Sequence, residues 1–96
     1  MNRTRLWISA VAALAVSLAG CASDAELKEK AKGHLRIGTA HIQAGQYAPA
    51  LKELMEAEKL TPDDPAVHYN MGIAYERKGF ADEAVRAFQK AIALKP

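Results

Sequence analysis

The sequence holds one cysteine, Cys21, among its 96 residues, and it lacks the common patterns of catalysis. A single cysteine has no partner within the chain, which excludes an internal disulfide. Serine, histidine and aspartate form no recognisable triad, and no glycine-rich loop of the kind that holds a phosphate is present. We therefore expect neither enzyme activity nor a cofactor.

The chain also has no apolar run of the length that crosses a bilayer, which is about 20 residues. The apolar run at residues 6–19 has 14 residues and follows Arg3 and Arg5. A short apolar run after basic residues is typical of a secretory signal, so we predict that residues 1–20 form a removable export signal helix.

Without this predicted signal, the chain has no net charge. The whole chain has 13 basic and 11 acidic residues, a formal net charge of +2. Because Arg3 and Arg5 lie in the predicted signal, the remaining 76 residues carry equal numbers of basic and acidic side chains. They make one small domain at most, and no basic stripe is left to follow a phosphate backbone, so we expect no nucleic-acid partner.

The predicted signal ends in a short motif, Leu18, Ala19, Gly20 and Cys21. Here the chain resembles bacterial lipoprotein precursors, which have a small residue before a cysteine at the cleavage site. The resemblance implies cleavage before Cys21 and a lipid on that residue, which would tether the protein to a membrane. Ala22 follows, and the sorting rules of that family then point to the periplasmic face of the outer membrane. The alternative is an ordinary buried thiol or a simple cleavage site.

What the sequence does have is internal repetition. Two units, residues 31–64 and 65–96, carry identical residues at positions 34 apart: His34 and His68, Gly38 and Gly72, Gly45 and Gly79, Ala57 and Ala91. The matches fall on small and aliphatic residues at helical spacing. This pattern is typical of a stacked repeat, because a single unit cannot bury its own apolar face.

Each unit predicts two helices. In the second unit, Asp64 can cap a helix that begins at Pro65 and ends at Gly79, and another helix follows over residues 81–94. We expect Gly72 to lie where the two helices approach closely, next to Phe88.

Residues 21–30 form the lipidated N-terminus and the lead-in to the first unit. Ser23 and Glu26 have the spacing of a capping box. We therefore expect the first helix to begin within a few residues of the lipid.

The second unit resembles a tetratricopeptide repeat. The resemblance rests on these residues: Tyr69, Asn70, Met71, Gly72, Ile73, Ala74, Tyr75, Gly79, Asp82, Glu83, Ala84, Phe88, Gln89, Lys90, Ala91 and Pro96. The first unit departs from the family pattern at two core positions, with His41 in place of tyrosine and Leu54 in place of a larger aromatic residue. The resemblance implies an all-α fold, in which two helix-turn-helix repeats form a short right-handed α-solenoid.

In that family the first helices of the repeats line a concave groove. The matching positions predict a partner-binding groove made of Leu35, Arg36, Thr39, Ile42, Tyr69, Asn70, Ile73 and Arg77. Apolar residues among them indicate a docking surface for another protein or a peptide. Alternatively, an N-terminal extension or a missing repeat covers them. A clamp for a chaperone-tail carboxylate fits less well, since Leu35 and Thr39 replace its lysine and asparagine.

Three histidines, His34, His41 and His68, invite comparison with a metal site. No carboxylate or thiolate completes a ligand set in the spacing, so we expect no metal. Three glutamates on the second helix of the first unit are interpreted as a solvated face rather than a catalytic acid/base pair: Glu53, Glu56 and Glu58.

Val85, Phe88 and Ile92 lie on the last helix, where a following repeat would normally pack. Either the chain continues beyond Pro96, which we favour, or it pairs with a second copy.

Taken together, these features predict a lipid-anchored periplasmic scaffold that takes part in assembling an envelope complex. The layout resembles the type IV pilus biogenesis and stability lipoproteins, which implies a role in building an outer-membrane secretin. The alternative is the N-terminal adaptor of a longer enzyme that acts on peptidoglycan.

Overall fold

The computed structural model describes residues 22–95, which form four α-helices and no strand. The helices are α1 (Asp24–Gln43), α2 (Tyr47–Leu60), α3 (Pro65–Lys78) and α4 (Ala81–Leu94). The predicted pair of helices per unit is confirmed, including the bounds predicted for the second unit. The predicted signal, Cys21 and Pro96 lie outside the described residues.

Two of the helices begin at side-chain caps that the sequence predicted. The Ser23 hydroxyl accepts a hydrogen bond from the Glu26 amide at 3.2 Å, and the Glu26 carboxylate accepts one from the Ser23 amide at 3.0 Å. The Asp64 carboxylate accepts a hydrogen bond from the Ala66 amide at 2.9 Å, with Pro65 as the first residue of α3. These bonds satisfy amide groups that have no partner inside the helix.

The first helix of each unit ends at a glycine with a left-handed backbone. The φ angle is 75° at Gly45 and 84° at Gly79, a conformation that favours glycine. After α3, the Phe80 amide donates to the Tyr75 carbonyl at 2.9 Å, and the Gly79 amide donates to the Glu76 carbonyl at 3.0 Å. This pair of bonds is a Schellman motif, which turns the chain sharply into the next helix.

The core lies at the junction of the two units. Fully buried Leu54 and Ala57 on α2 pack against a cluster that includes Val67 and Ala74 on α3. Since the cluster draws on both units, they share one core. The chain is therefore an all-α solenoid, with α1 and α2 stacked on α3 and α4.

Two of the three apolar residues that the sequence assigned to an uncovered face of the last helix are exposed, whereas Phe88 is partly buried against Gly72 of its own repeat. Val85 is 53% exposed and Ile92 is 73% exposed. No helix within residues 22–95 combines the length and the apolar character that crossing a membrane requires.

Candidate functional site

The predicted groove lies on α1 and α3, which contact each other along the stack. Tyr69, Ile73 and Arg77 follow one another at intervals of four residues on α3, so they lie along one helical face. On α1, Leu35 matches Tyr69 and Thr39 matches Ile73, whereas Arg36 matches Asn70. The predicted groove residues therefore lie on two helices that contact each other.

Two of the predicted groove residues also have a packing role that the sequence did not predict. Leu35 and Ile42 are partly buried and pack against the core cluster. Their apolar side chains therefore already contribute to the core of the fold. The surface offered to a partner rests mainly on the remaining groove residues.

The uncharged polar residues of the groove are held by their own helices. The Thr39 hydroxyl donates to the Leu35 carbonyl at 2.8 Å, and the Asn70 amide nitrogen donates to the Ala66 carbonyl at 2.8 Å. Each residue thus has one hydrogen-bonding partner four residues back, which fixes its position on the helix surface.

The charge of the groove comes from Arg36 and Arg77. Both side chains are exposed, and neither forms an ion pair with any residue between 22 and 95. A guanidinium group can donate two parallel hydrogen bonds to a carboxylate. These two residues therefore favour a partner with acidic groups.

Tyr69 belongs to a second surface at the end of the stack. Its ring is 54% exposed and lies 5.8 Å from the Phe88 ring, with an angle of 56° between the ring planes. The two rings line a cleft of about 560 Å³ together with Pro65, Ala66, Ala91, Ile92 and Lys95. Tyr69 thus stands at the border between the groove and this end cleft.

His68 joins the two units at their junction. The ring is 2% exposed, and its Nε2 donates to the Pro62 carbonyl at 2.7 Å. Its Nδ1 lies 3.5 Å from the Glu58 carboxylate on α2. The side chain therefore bridges α3 to the last turn of the preceding unit.

His34 occupies the matching position of the first unit but has a different partner. Its Nδ1 lies 2.7 Å from the Glu53 carboxylate, so this pair joins α1 to α2 within one unit. The interpretation of the glutamates as a solvated face does not fit Glu53, whose side chain is only 26% exposed, whereas the Glu58 side chain is 37% exposed beside His68. The recurrence of histidine in the repeat, opposite a glutamate-rich helix, was the available signal.

Glu56, the third glutamate, does lie on the exposed face. The Lys59 ammonium group, 3.0 Å away, holds the pKa of the Glu56 carboxyl below its usual value. Within residues 22–95 no three histidine, cysteine or acidic residues come together in a way that could hold a metal ion.

Comparison with protein families matches this geometry. A family model described as "TPR repeat" matches residues 38–79, and another described as "Tetratricopeptide repeat" matches residues 65–96. Residues 38–96 are built of tetratricopeptide repeats. Such repeats bind other proteins or peptides, so the tetratricopeptide stack is a protein-interaction scaffold, and α1 and α3 are the first helices of its two repeats.

Two longer proteins contain similar sequence. The chain is 36% identical over 62 residues to "Superkiller complex protein 3" of Mus musculus, which covers 65% of the chain and 4% of that protein. It is 29% identical over 76 residues to "Superkiller protein 3" of Saccharomyces cerevisiae, which covers 71% of the chain and 5% of that protein. The chain thus matches only a small part of each relative's length.

Proposed function

We propose that this protein is a lipid-anchored scaffold of the bacterial cell envelope, which holds a segment of another protein in the groove formed by α1 and α3. The observation that carries the proposal is the pair of exposed, unpaired guanidinium groups at Arg36 and Arg77 on that surface. Charged groups with no partner in residues 22–95 remain available to a ligand.

The side chains of the groove favour a partner with a particular chemistry. Ile73 is half-buried between the turns that carry Tyr69 and Arg77, so it offers apolar contact beside a positive charge. A peptide with acidic residues flanking an apolar side chain would meet both features. Binding would then combine charge attraction with burial of apolar surface.

The anchored part of the proposal rests on the motif from Leu18 to Cys21, and the start of α1 says how far the stack would lie from the lipid. The helix begins at Asp24, three residues after Cys21, and the capping box at Ser23 fixes that start. A lipid on Cys21 would therefore leave almost no flexible spacer, and the groove would be held close to the membrane. Following the lipoprotein resemblance, we extend the proposal to the periplasmic face of the outer membrane and to assembly of an envelope complex such as a pilus secretin.

The groove is tested by reversing its charge. In cells that make the full chain, proteins cross-linked to it in the envelope are recovered and compared between wild type and an Arg36→Glu, Arg77→Glu double variant. Met55→Glu is the matched control, because Met55 is a 40% exposed residue of α2 outside the groove. We expect the double variant to lose a cross-linked partner that wild type and control retain. Equal recovery from all three chains would refute the groove.

The anchor is tested separately. Globomycin, which inhibits the lipoprotein signal peptidase, should make the uncleaved precursor accumulate, and Cys21→Ala should abolish incorporation of radiolabelled palmitate into the protein. If globomycin did not change processing of the precursor, the lipid anchor would be refuted. The proposal for the groove would be unaffected.

A further inference from the structure

The junction between the two repeats shows how one repeat packs against the next. Leu51 on α2 is 7% exposed and Met71 on α3 is 6% exposed, and both belong to the shared core cluster. The first helix of the second repeat therefore buries the second helix of the first repeat.

The two ends of the stack carry the two halves of the same junction. Val85, on α4, matches Leu51 and is 53% exposed, whereas Ile37, on α1, matches Met71 and is 48% exposed. Apolar residues whose matches are buried at the internal junction are thus exposed on the first and last helices of residues 22–95. The exposed face of α4 therefore resembles the face of α2 at the junction, and the exposed face of α1 resembles the face of α3.

The contact between a histidine and a glutamate at the junction gives a sharper comparison. Inside the molecule, His68 faces Glu58 across the junction at 3.5 Å. The matching residues at the two ends are His34 and Ile92, so a second junction built from these ends would have no glutamate opposite the histidine.

The first repeat compensates for that missing glutamate. His34 already faces Glu53 on its own α2 at 2.7 Å, whereas the residue that matches Glu53 in the second repeat is Ala87. His34 therefore needs no acid from a neighbour. Ile92 is 73% exposed, and its apolar side chain could pack against His34 because the ring of His34 already has Glu53 as its polar partner.

Of the two arrangements that the sequence leaves open, a following repeat or a second copy, the match between the two end faces favours the second. We propose that two copies of this chain stack head to tail, with α1 of one copy lying on α4 of the other as α3 lies on α2. The contact uses a different surface on each partner, so it is heterologous. It would align the grooves of the two copies into one surface of four repeats. The proposal depends on the end faces, and it stands apart from the groove and the anchor.

A mixing experiment tests the arrangement. The full chain, purified in detergent, is prepared as wild type, Ile37→Glu and Ile92→Glu, and native mass spectrometry counts the chains in each complex. Both positions are exposed, so the charges leave the core intact, which circular dichroism verifies. Wild type is expected to give dimers and higher species that increase with concentration.

The two variants distinguish head-to-tail stacking from other contacts. Each alone is expected to be monomeric, since each lacks one of the two faces. Mixed together, they are expected to form a dimer of one chain of each kind, because Ile37→Glu keeps its α4 face and Ile92→Glu keeps its α1 face. Met55→Glu is the control and is expected to assemble like wild type.

Three outcomes would overturn the proposal. Dimers of Ile37→Glu alone would mean that two α4 faces meet each other. A mixture that stays monomeric, or a wild type that stays monomeric at every concentration, would mean that something other than a second copy covers the ends. The Arg36→Glu, Arg77→Glu chain should still assemble, so a failure of the groove leaves this result unchanged.

Discussion

A carbon atom attached to Gly72 would lie only 2.6 Å from Cδ1 of Phe88. The Phe88 ring therefore lies directly on the backbone of α3. The first repeat has the same arrangement, with the corresponding carbon at Gly38 lying 2.8 Å from Cγ of Leu54. In both repeats a large apolar side chain on the second helix packs where the first helix has no side chain, and this contact sets how closely the paired helices approach.

Gly72→Ala is expected to destabilise the protein. Alanine favours a helix over glycine by about 1 kcal/mol, but its methyl group would collide with the Phe88 ring. Overpacking of this kind costs about 1 to 3 kcal/mol, so the net effect is a loss of stability. Urea unfolding followed by circular dichroism measures it.

Gly33→Ala is the matched control. Gly33 lies inside α1, and a carbon atom added there meets nothing within 4 Å. The substitution is expected to raise the free energy of unfolding by up to about 1 kcal/mol through helix propensity. If Gly72→Ala proved as stabilising as Gly33→Ala, the close contact with Phe88 would be refuted.

His68→Ala is expected to weaken the junction between the repeats. It removes a fully buried ring and leaves the Pro62 carbonyl without its partner. Cavity formation and the unpaired carbonyl together should lower the free energy of unfolding by about 2 to 4 kcal/mol. His34→Ala, at the matching position, removes a partly exposed pair and should cost about 1 kcal/mol or less. Equal losses for the two variants would contradict the bridging role of His68.

The parts of the fold that depend on neighbours in sequence were predictable. Asp64, Pro65 and Gly79 fix the ends of α3 through local hydrogen bonds and backbone angles, so their types alone predicted its bounds. The contact between Gly72 and Phe88 was predictable as well, because the repeat pattern assigns the two residues to facing positions of one helix pair.

The contacts that depend on how the repeats stack were not predictable in the same way. Glu58 faces His68 only because α3 settles against α2 at a particular angle, and helical periodicity does not specify that angle. The partial burial of Leu35 and Ile42 against the core also depends on how the helices pack, and the sequence did not predict it. Tyr69 was predicted for the groove, and its place beside the end cleft follows from the position of α4.

Ser23→Ala is expected to fray the start of α1 and leave the rest of the stack unchanged. The substitution removes the hydroxyl that accepts from the Glu26 amide, and loss of such a cap costs about 1 kcal/mol. Hydrogen exchange should accelerate at residues 24–28 and stay the same in α3. Ser23→Thr, which keeps a hydroxyl, is the control. Unchanged exchange at Glu26 in the alanine variant would argue against the capping box.

Tyr75 should make the protein less stable at alkaline pH. Burial, followed by the negative charges of Glu58 and Glu83, raises the pKa of the Tyr75 hydroxyl above its ordinary value. The folded protein thus keeps this proton at a pH where the unfolded chain, with a tyrosine pKa of about 10, has begun to release it. The resulting contribution to stability is fully present below that pH and is lost as the pH rises through the folded value.

Tyr75→Phe isolates this effect from the titration of the lysines. The phenylalanine ring can keep the edge contact with Phe80, whose ring centre lies 6.5 Å from that of Tyr75. Urea unfolding is measured from neutral pH to above pH 10 for both proteins, with tyrosine ionisation followed by ultraviolet absorbance. We expect wild type to lose more stability than Tyr75→Phe over the alkaline part of this range. Parallel curves would mean that the hydroxyl ionises as easily in the folded protein as in the unfolded chain.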